Sequence, residues 1–306
     1  MKEKIAVLFG GTSQERKISL LSGRNILKSL LKSKINAYPI DTKHYPITQL
    51  SNQEFKKAFL ALHGNEGENG TIQGILQYLK IPYTGSKILS SAISIDKMKT
   101  KLLWKSINLP IVPYYFINIK KFQKISKNCL KHDVLKLNLP IIVKPNTGGS
   151  SIGVSLVNSY DYLYDACIKA FKYDNDILIE KFIYGQEYSV GILNNKILPS
   201  IRIHSKNTFY DYESKYKSQE TQYFCPSGLE KQKEIKLSNI IKKAWKILGC
   251  VGWGRIDLII DHNKKFWLLE INTCPGMTKH SLMPIASKEA GISFNELVLK
   301  ILESTN

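Results

Sequence analysis

Arginine is scarce in this chain. Of 44 basic residues only four are arginine (Arg16, Arg24, Arg202 and Arg255), which leaves 40 lysines. Phosphate-reading surfaces draw heavily on arginine for its bidentate fork. The net charge of +19 over 25 acidic residues would otherwise point to nucleic acid. The lysines are strewn among many Asn and Ile residues, as a biased nucleotide composition would produce. The charge is therefore read as a solvated lysine-rich surface, and no nucleic-acid partner is expected. Cysteine is sparse too. Cys129, Cys167, Cys225, Cys250 and Cys274 are odd in number and form no C-x-x-C pair. That argues for reduced thiols in a cytoplasmic protein and against a zinc site. Long hydrophobic runs are missing: nothing approaches the roughly 18 residues of a membrane span. The N-terminal IAVLF is followed by Gly-Gly and is too short for a signal peptide. No membrane partner is expected.

What is present is length. The 306 residues exceed the size at which one hydrophobic core stops growing, so two or three domains, or one elaborated fold, are expected. Hydrophobic content of 43% is ordinary for a globular protein. Residues 4–9 read as a strand, GGTSQE as a turn and 18–33 as a helix. A second strand ends near Leu62, and NGTIQGILQYL follows as loop then helix, with Asn69 as N-cap. This β-α-β-α pattern to about residue 90 predicts an open parallel sheet, with functional loops at the strand C-terminal ends. GGTSQE and HGNEGENG sit there.

From Asp96 the texture changes. DKMKTKLLWKS is helical, LPIVPYYFI is a Pro-broken strand, and LPIIVKPNTGGSSIGVSLV reads as strand, Gly/Ser loop, strand. A helix over 161–172 precedes strands ILIEKFI, EYSVGIL and ILPSIRI. Residues 205–230 carry no period and read as a long loop. A helix over 232–248 precedes GRIDLII and FWLLEIN, and 281–304 close the chain as a helical stretch.

Several stretches carry candidate chemistry. In LLEIN, Glu270 and Asn272 lie two apart on a strand and share a face; in GRIDLII, Arg255 and Asp257 do the same. With HNKK as a hairpin turn, Asp257, Glu270 and Asn272 gather around one point, and three oxygen ligands suit Mg²⁺. The competing reading is a hairpin whose carboxylates meet Arg255 and surface lysines. KPNTGGSSIG sets Lys144 ahead of a Gly/Ser turn whose N–H groups and hydroxyls suit phosphate, or it is a plain hairpin turn. ILIEKFIYGQE carries Glu180, Lys181 and Glu187; its acidic groups can accept from an adenine amino group or ribose hydroxyls, or they form a structural ion pair. FYDYESKY offers Lys215 and Tyr216 as a lid over an anionic substrate, or a solvated loop. Glu15, three residues after Thr12, is either a capping-box residue or an anion for a substrate ammonium.

Taken in order, LFGGTSQERKISLLSG, LHGNEGENGTIQG, KPNTGGSSIGVS, ILIEKF, YDYESKY, FCPSGL, GWGRIDLII and EINTCPGMTKHSLMP resemble the D-alanine–D-alanine ligase family of ATP-grasp enzymes almost end to end. The resemblance implies an α/β protein with the ATP-grasp fold. An N-terminal, Rossmann-like parallel α/β domain over 1–95 would be followed by two α+β subdomains over 96–186 and 187–306. It implies joining of two D-alanines, with ATP and two Mg²⁺ (or Mn²⁺) ions, in a homodimer; a D-alanine–D-lactate type is the alternative. By the same resemblance Asp257, Glu270 and Asn272 are metal ligands, with Glu270 bridging. Lys97, Lys144 and Lys215 face the phosphates, Ser151 and neighbouring backbone N–H groups cover the nucleotide, Glu180, Lys181 and Ile183 face the adenine, and Glu187 the ribose. Glu15 takes the first ammonium with His63 nearby. Arg255 and the Gly276 N–H stabilise the oxyanion, Ser281 and Leu282 line the second D-alanine pocket, and Ser150 and Tyr216 form a chain with Glu15. Three positions depart from the family pattern. Gly148 stands where relatives often carry Glu, a change that could loosen the phosphate loop; Asn69 replaces an Asp and keeps an N-cap, and Phe182 replaces a common Trp near the adenine and should still stack.

Overall fold

The strand Lys4–Phe9 (β1) is buried from Ile5 onward without alternation, as a strand covered on both faces must be. It lies at the centre of a parallel sheet in the order β2-β1-β3, between Ala37–Asp41 (β2) and Phe55–Leu60 (β3). The computed structural model describes residues 3–204 and 221–305. β2 escaped the sequence pattern because AYPID contains Pro39 and turns Tyr38 and Pro39 outward. An edge strand tolerates a proline where a central one does not. β3 ends at Leu60 rather than Leu62, and the first helix, Arg16–Lys32 (α1), starts two residues early. Two short helices, Asn65–Glu68 (α2) and Thr71–Tyr78 (α3), follow β3. Asn69 is not the N-cap of α3. That place belongs to Gly70 at φ +92°, and Asn69 Oδ1 accepts from the Thr71 N–H at 3.0 Å.

Helix Ile88–Ile95 (α4), not read from the sequence, leads into Lys97–Ser106 (α5). Asp96 caps α5 by accepting from the Lys99 N–H. Next comes an antiparallel sheet in the order β4-β7-β5-β6: Tyr114–Asn118 (β4), Ile141–Pro145 (β5), Ser155–Val157 (β6) and Asp176–Lys181 (β7). Helices Ile119–Phe122 (α6), Lys127–Val134 (α7) and Leu163–Phe171 (α8) accompany it. In α8, Leu163, Ala166, Cys167 and Ala170 recur at helical spacing and pack on Ile141, Val143, Ile177 and Ile179. Burying each large aliphatic side chain contributes about 1.5–3 kcal/mol.

Among the described residues the remaining sheet has six strands. Gln222–Phe224 (β11), Ile201–His204 (β10), Gly185–Leu193 (β8), Trp253–Asp261 (β12) and Phe266–Asn272 (β13) run in that order, and Lys196–Ile197 (β9) pairs with β8. Part of the expected 205–230 loop is thus strand β11. Helix Lys231–Ile247 (α9) sets Leu237, Ile241, Ala244 and Trp245 against this sheet, joined by Trp104 from α5. The closing helical stretch is two helices, Leu282–Glu289 (α10) and Phe294–Glu303 (α11), parted at Gly291 (φ +76°). Both pack onto the core of the first sheet through Met283, Val298 and Ile301. Among the described residues no helix is long and apolar enough to cross a membrane.

Candidate active site

The hairpin β12–β13 turns through His262–Lys265, as HNKK predicts. Its register sets Asp257 opposite Glu270 and Arg255 opposite Asn272. Ser189 of β8 pairs with Asp257 on the other side, so three strands carry Ser189, Asp257 and Glu270 in one row. Asp257 is buried and well bonded: Ser189 Oγ donates at 2.6 Å, Arg255 Nε at 3.1 and 3.2 Å, and Asn272 Nδ2 at 3.1 Å. With its N–H on Asp257, the amide of Asn272 turns its oxygen the other way. Glu270 faces Lys97 Nζ at 3.5 Å. Lys97 is itself buried, so the partner is not one of the surface lysines. Among the described residues no three His, Cys, Asp or Glu side chains gather as a metal cage. Two carboxylates and an amide oxygen suit a hard cation that keeps water and phosphate oxygens as further ligands.

Helix α5 forms the next wall. Lys97 and Lys101 are one turn apart on the same face. Lys97 also donates to the carbonyls of Gly148 and, at 3.5 Å, Asn146. Lys101 is fully buried and contacts Glu180 Oε1 at 2.9 Å, while Lys144 contacts Glu180 Oε2 at 2.7 Å. Burial would lift the Glu180 carboxyl; Lys101, then Lys144, outweigh it and hold the group below its usual value. For Lys101 the balance reverses, and burial pulls the ammonium down against the pull of Glu180. The Glu180 side chain is thus in an ion pair with two lysines, the plainer of the two sequence readings. Lys101 was not singled out from the sequence, because one lysine among 40 carries no signal until its burial is known.

The Gly/Ser loop is tightly tied. Thr147 donates its N–H and hydroxyl to Asp174 Oδ2, both at 2.7 Å. Ser150 and Ser151 adopt left-handed φ of 51° and 58°. A Cβ at Gly149 would stand 2.8 Å from Glu15 Oε2. Lys97 donates to the Gly148 carbonyl and ties the loop to helix α5 at that point. Lys97, Lys144, Ser150, Ser151, Lys181, Phe182, Ile183, Glu187 and Glu270 line a single cleft between the two antiparallel sheets. Phe182 meets Tyr184 edge-on, with ring centroids 4.9 Å apart. The cleft continues past Lys97 and Gly149 to Glu15, Glu68 and Asn272.

At that far end Ser150 Oγ donates to Glu15 Oε1. The capping-box geometry for Glu15 is not formed. Glu15 occupies the N-cap position itself and makes no side-chain cap bond, while Thr12 bonds Glu66. The Arg16–Asp41 fork, at 2.8 and 2.7 Å, anchors the loop next to Glu15. His63 is buried, and its ring nitrogens lie 2.8 Å from the Cys274 carbonyl and 3.1 Å from Ser22 Oγ. Burial lowers its pKa, against an upward pull from Glu15. Burial, then Glu15, pushes the Glu68 carboxyl up to about 8. Glu68 and Ser22 were missed from the sequence: one is an acid among neighbouring acids, the other a serine in a helix. A Cβ on Gly276 would stand 2.9 Å from Ser281 Oγ, so a larger residue there would force Ser281 to shift. Ser281 is the N-cap residue of α10, and Leu282 buries its side chain in the core of the first sheet. Lys215 and Tyr216 lie outside the described residues.

Two antiparallel sheets closing on a cleft of lysines and carboxylates, preceded by a parallel α/β unit, define the ATP-grasp fold. The models of the D-ala D-ala ligase N-terminus and C-terminus match residues 4–56 with 44–86, and 103–303, respectively. A D-alanine–D-alanine ligase of Buchnera aphidicola subsp. Baizongia pistaciae is 63% identical over 304 residues, covering 99% of this chain and 98% of that one. That of Buchnera aphidicola subsp. Schizaphis graminum is 57% identical, covering 99% of each. Among solved structures, a D-alanine–D-alanine ligase from Bacillus anthracis superposes with a TM-score of 0.86 at 33% identity, covering 99% of this chain and 97% of that one. The VanG D-Ala:D-Ser ligase from Enterococcus faecalis gives 0.87 at 26%, covering 99% of each. The chain belongs to the D-alanine–D-alanine ligase family.

Proposed function

We propose that the protein joins two D-alanine molecules into D-alanyl-D-alanine for peptidoglycan synthesis, converting ATP to ADP and phosphate. The observation that carries this reading is one continuous cleft. Lys97, Lys144 and Glu270 line its near part and Asn272 and Glu15 the part beyond, with Asp257 buried behind Asn272 and Ser150 bonded to Glu15. A carboxylate is a poor electrophile. Transfer of the γ-phosphoryl group to the first D-alanine makes an acyl phosphate, which the amine of the second attacks, releasing phosphate. Such chemistry asks the protein for positioning and charge neutralisation above all. An ATP complex of the Bacillus anthracis ligase, with a TM-score of 0.84 at 31% identity, supports ATP as the nucleotide here.

In this reading adenine lies by Phe182 and Ile183 against the backbone of Glu180 and Lys181, and Glu187 takes the ribose. Lys97, Lys144, Lys215 and Ser151 hold the phosphates. Asp257, Glu270 and Asn272 hold two Mg²⁺ (or Mn²⁺) ions, which supply charge neutralisation at the transferring phosphoryl group. Glu15 anchors the first ammonium. Arg255 and the Gly276 N–H aim at the oxyanion of the tetrahedral state. The N-terminus of α10 at Ser281 and Leu282 receives the second carboxylate, as helix N-termini favour anions. Ser150 and Tyr216 extend the chain from Glu15. The segments 1–95, 96–186 and 187–306 act as substrate wall, nucleotide cover and metal-bearing floor, in a cytoplasmic homodimer. The Buchnera relatives, named D-alanine–D-alanine ligases at 63% and 57% identity, disfavour a D-lactate specificity. Phosphate release with ATP, Mg²⁺ and D-alanine, set beside L-alanine, D-lactate and D-serine, tests the proposal. Turnover with D-lactate exceeding that with D-alanine alone, or no turnover with D-alanine, overturns it.

A further inference from the structure

The turn Cys274-Pro275-Gly276-Met277 leaves β13 just past Asn272. The backbone polar groups at both its ends are bonded by side chains from the N-terminal segments. The Cys274 N–H donates to Glu68 Oε1 at 3.4 Å, and the Cys274 carbonyl faces His63 Nδ1 at 2.8 Å. The Met277 N–H donates to Ser22 Oγ at 3.0 Å, and Asn25 Nδ2 donates to the Met277 carbonyl at 3.2 Å. Ser22 Oγ also lies 3.1 Å from His63 Nε2, with Ser22 fully buried.

These contacts assign the protons. A carbonyl only accepts, so His63 Nδ1 carries hydrogen and donates to Cys274. Burial holds the imidazole below its ordinary pKa, so with Nδ1 carrying the hydrogen Nε2 is bare and accepts from the Ser22 hydroxyl, whose oxygen accepts from Met277. The imidazole is neutral, and both of its nitrogens are engaged within the protein. His63 therefore has no ring nitrogen left for a substrate, although it lies beside the candidate substrate site. We infer that Ser22, His63, Glu68 and Asn25 are positioning residues that clamp this turn and set the direction of the Gly276 N–H. The inference rests on the ligase reading, which puts that N–H on the oxyanion of the second half-reaction. Loss of one well-placed oxyanion donor costs on the order of 10²–10³ in rate, and loosening one costs a fraction of that.

The clamp predicts uncoupling. D-alanyl phosphate has two fates: attack by the second amine gives dipeptide and phosphate, and attack by water returns D-alanine and phosphate. A misdirected Gly276 N–H slows aminolysis in the site; the acyl phosphate that accumulates leaves and is hydrolysed in bulk water, where that N–H gives no help, so more phosphate is released per dipeptide. The test follows phosphate and dipeptide in parallel on the full chain, together with the ATP KM and the Tm. For Ser22→Ala the expected result is a dipeptide kcat lowered at least tenfold, a phosphate-to-dipeptide ratio above one, and an ATP KM within twofold of the parent. His63→Gln still reaches Ser22 but not Cys274, and is expected to uncouple likewise. Asn25→Ala, at a half-buried position, is expected to show a smaller effect of the same kind, and carries the test should Ser22→Ala fail to fold. Variants that lower Tm alone, with kcat and a ratio of one retained, overturn the clamp. A parent chain that forms no dipeptide overturns the ligase reading, and the clamp falls with it.

Discussion

Replacing Lys101 by methionine removes the ammonium of a fully buried lysine and keeps most of its stem. In the native chain that ammonium and Lys144 share the Glu180 carboxylate at 2.9 and 2.7 Å. Taking away one partner of a buried pair usually costs about 3–5 kcal/mol, because the other charge is stranded. Glu180 keeps Lys144, so Lys101→Met is expected at the low end, near 3 kcal/mol. For a chain of 306 residues that lowers Tm by about 5 °C. Function should shift too. Lys144 becomes the lone cation on Glu180 and is less free for phosphate. Losing part of a charge-assisted hydrogen bond of about 1.5–3 kcal/mol raises the ATP KM roughly tenfold, while the D-alanine KM stays near that of the parent. The assay is urea unfolding with steady-state kinetics on the same preparations, including Lys101→Met/Glu180→Gln. That double variant removes both charges and is expected to cost less than the sum of its parts. A Lys101→Met change under about 0.5 kcal/mol, within the range of surface substitutions, with an unchanged ATP KM, would refute the argument.

Glu270→Gln keeps shape and loses the charge facing Lys97; phosphoryl transfer is expected to collapse with folding intact, and near-parental turnover at saturating Mg²⁺ would remove Glu270 from the metal site. Glu15→Gln is expected to raise the D-alanine KM far more than the ATP KM, since its carboxylate meets Ser150 and makes no cap bond. A fall in Tm with intact kinetics would return Glu15 to a structural role. Glu68 titrates near 8 in the folded chain against an ordinary 4.5, so the folded state keeps a proton that the unfolded state has lost. Its contribution to stability is full below pH 4.5 and fades as pH rises through 8. Glu68→Gln should flatten the pH dependence of unfolding in that window, and an unchanged profile would show that Glu68 ionises normally.

The hairpin 253–272 was legible in the sequence because strand alternation is a local property: Asp257 and Glu270 had to share a face once GRIDLII and LLEIN were strands joined by HNKK. The helix carrying Lys97 and the strand β5 carrying Lys144 were legible for the same reason. β2 was not, since Pro39 and two outward side chains hide an edge strand. Nor was the break at Gly291 that divides the closing helical stretch, itself read from the sequence, into two helices. The readings left open at Glu15 and Glu180 had equal local support. Glu15 resolves away from a capping box because Ser150, 135 residues on, supplies the partner. Glu180 resolves toward an ion pair because Lys101 is buried.

The sequence by itself determined the parallel α/β start, the antiparallel strands that follow, and the family motifs that place lysines and carboxylates in order along the chain. Periodicity and spacing carry that information within a few residues. The tertiary structure alone decided that Lys97 and Lys101, one turn apart, reach carboxylates on two different sheets, Glu270 and Glu180. It alone decided that Ser22 meets Met277 across 255 positions and that His63 spends both nitrogens inside the protein. Burial and proton assignment depend on which surfaces the fold presses together, and no local window of sequence holds that.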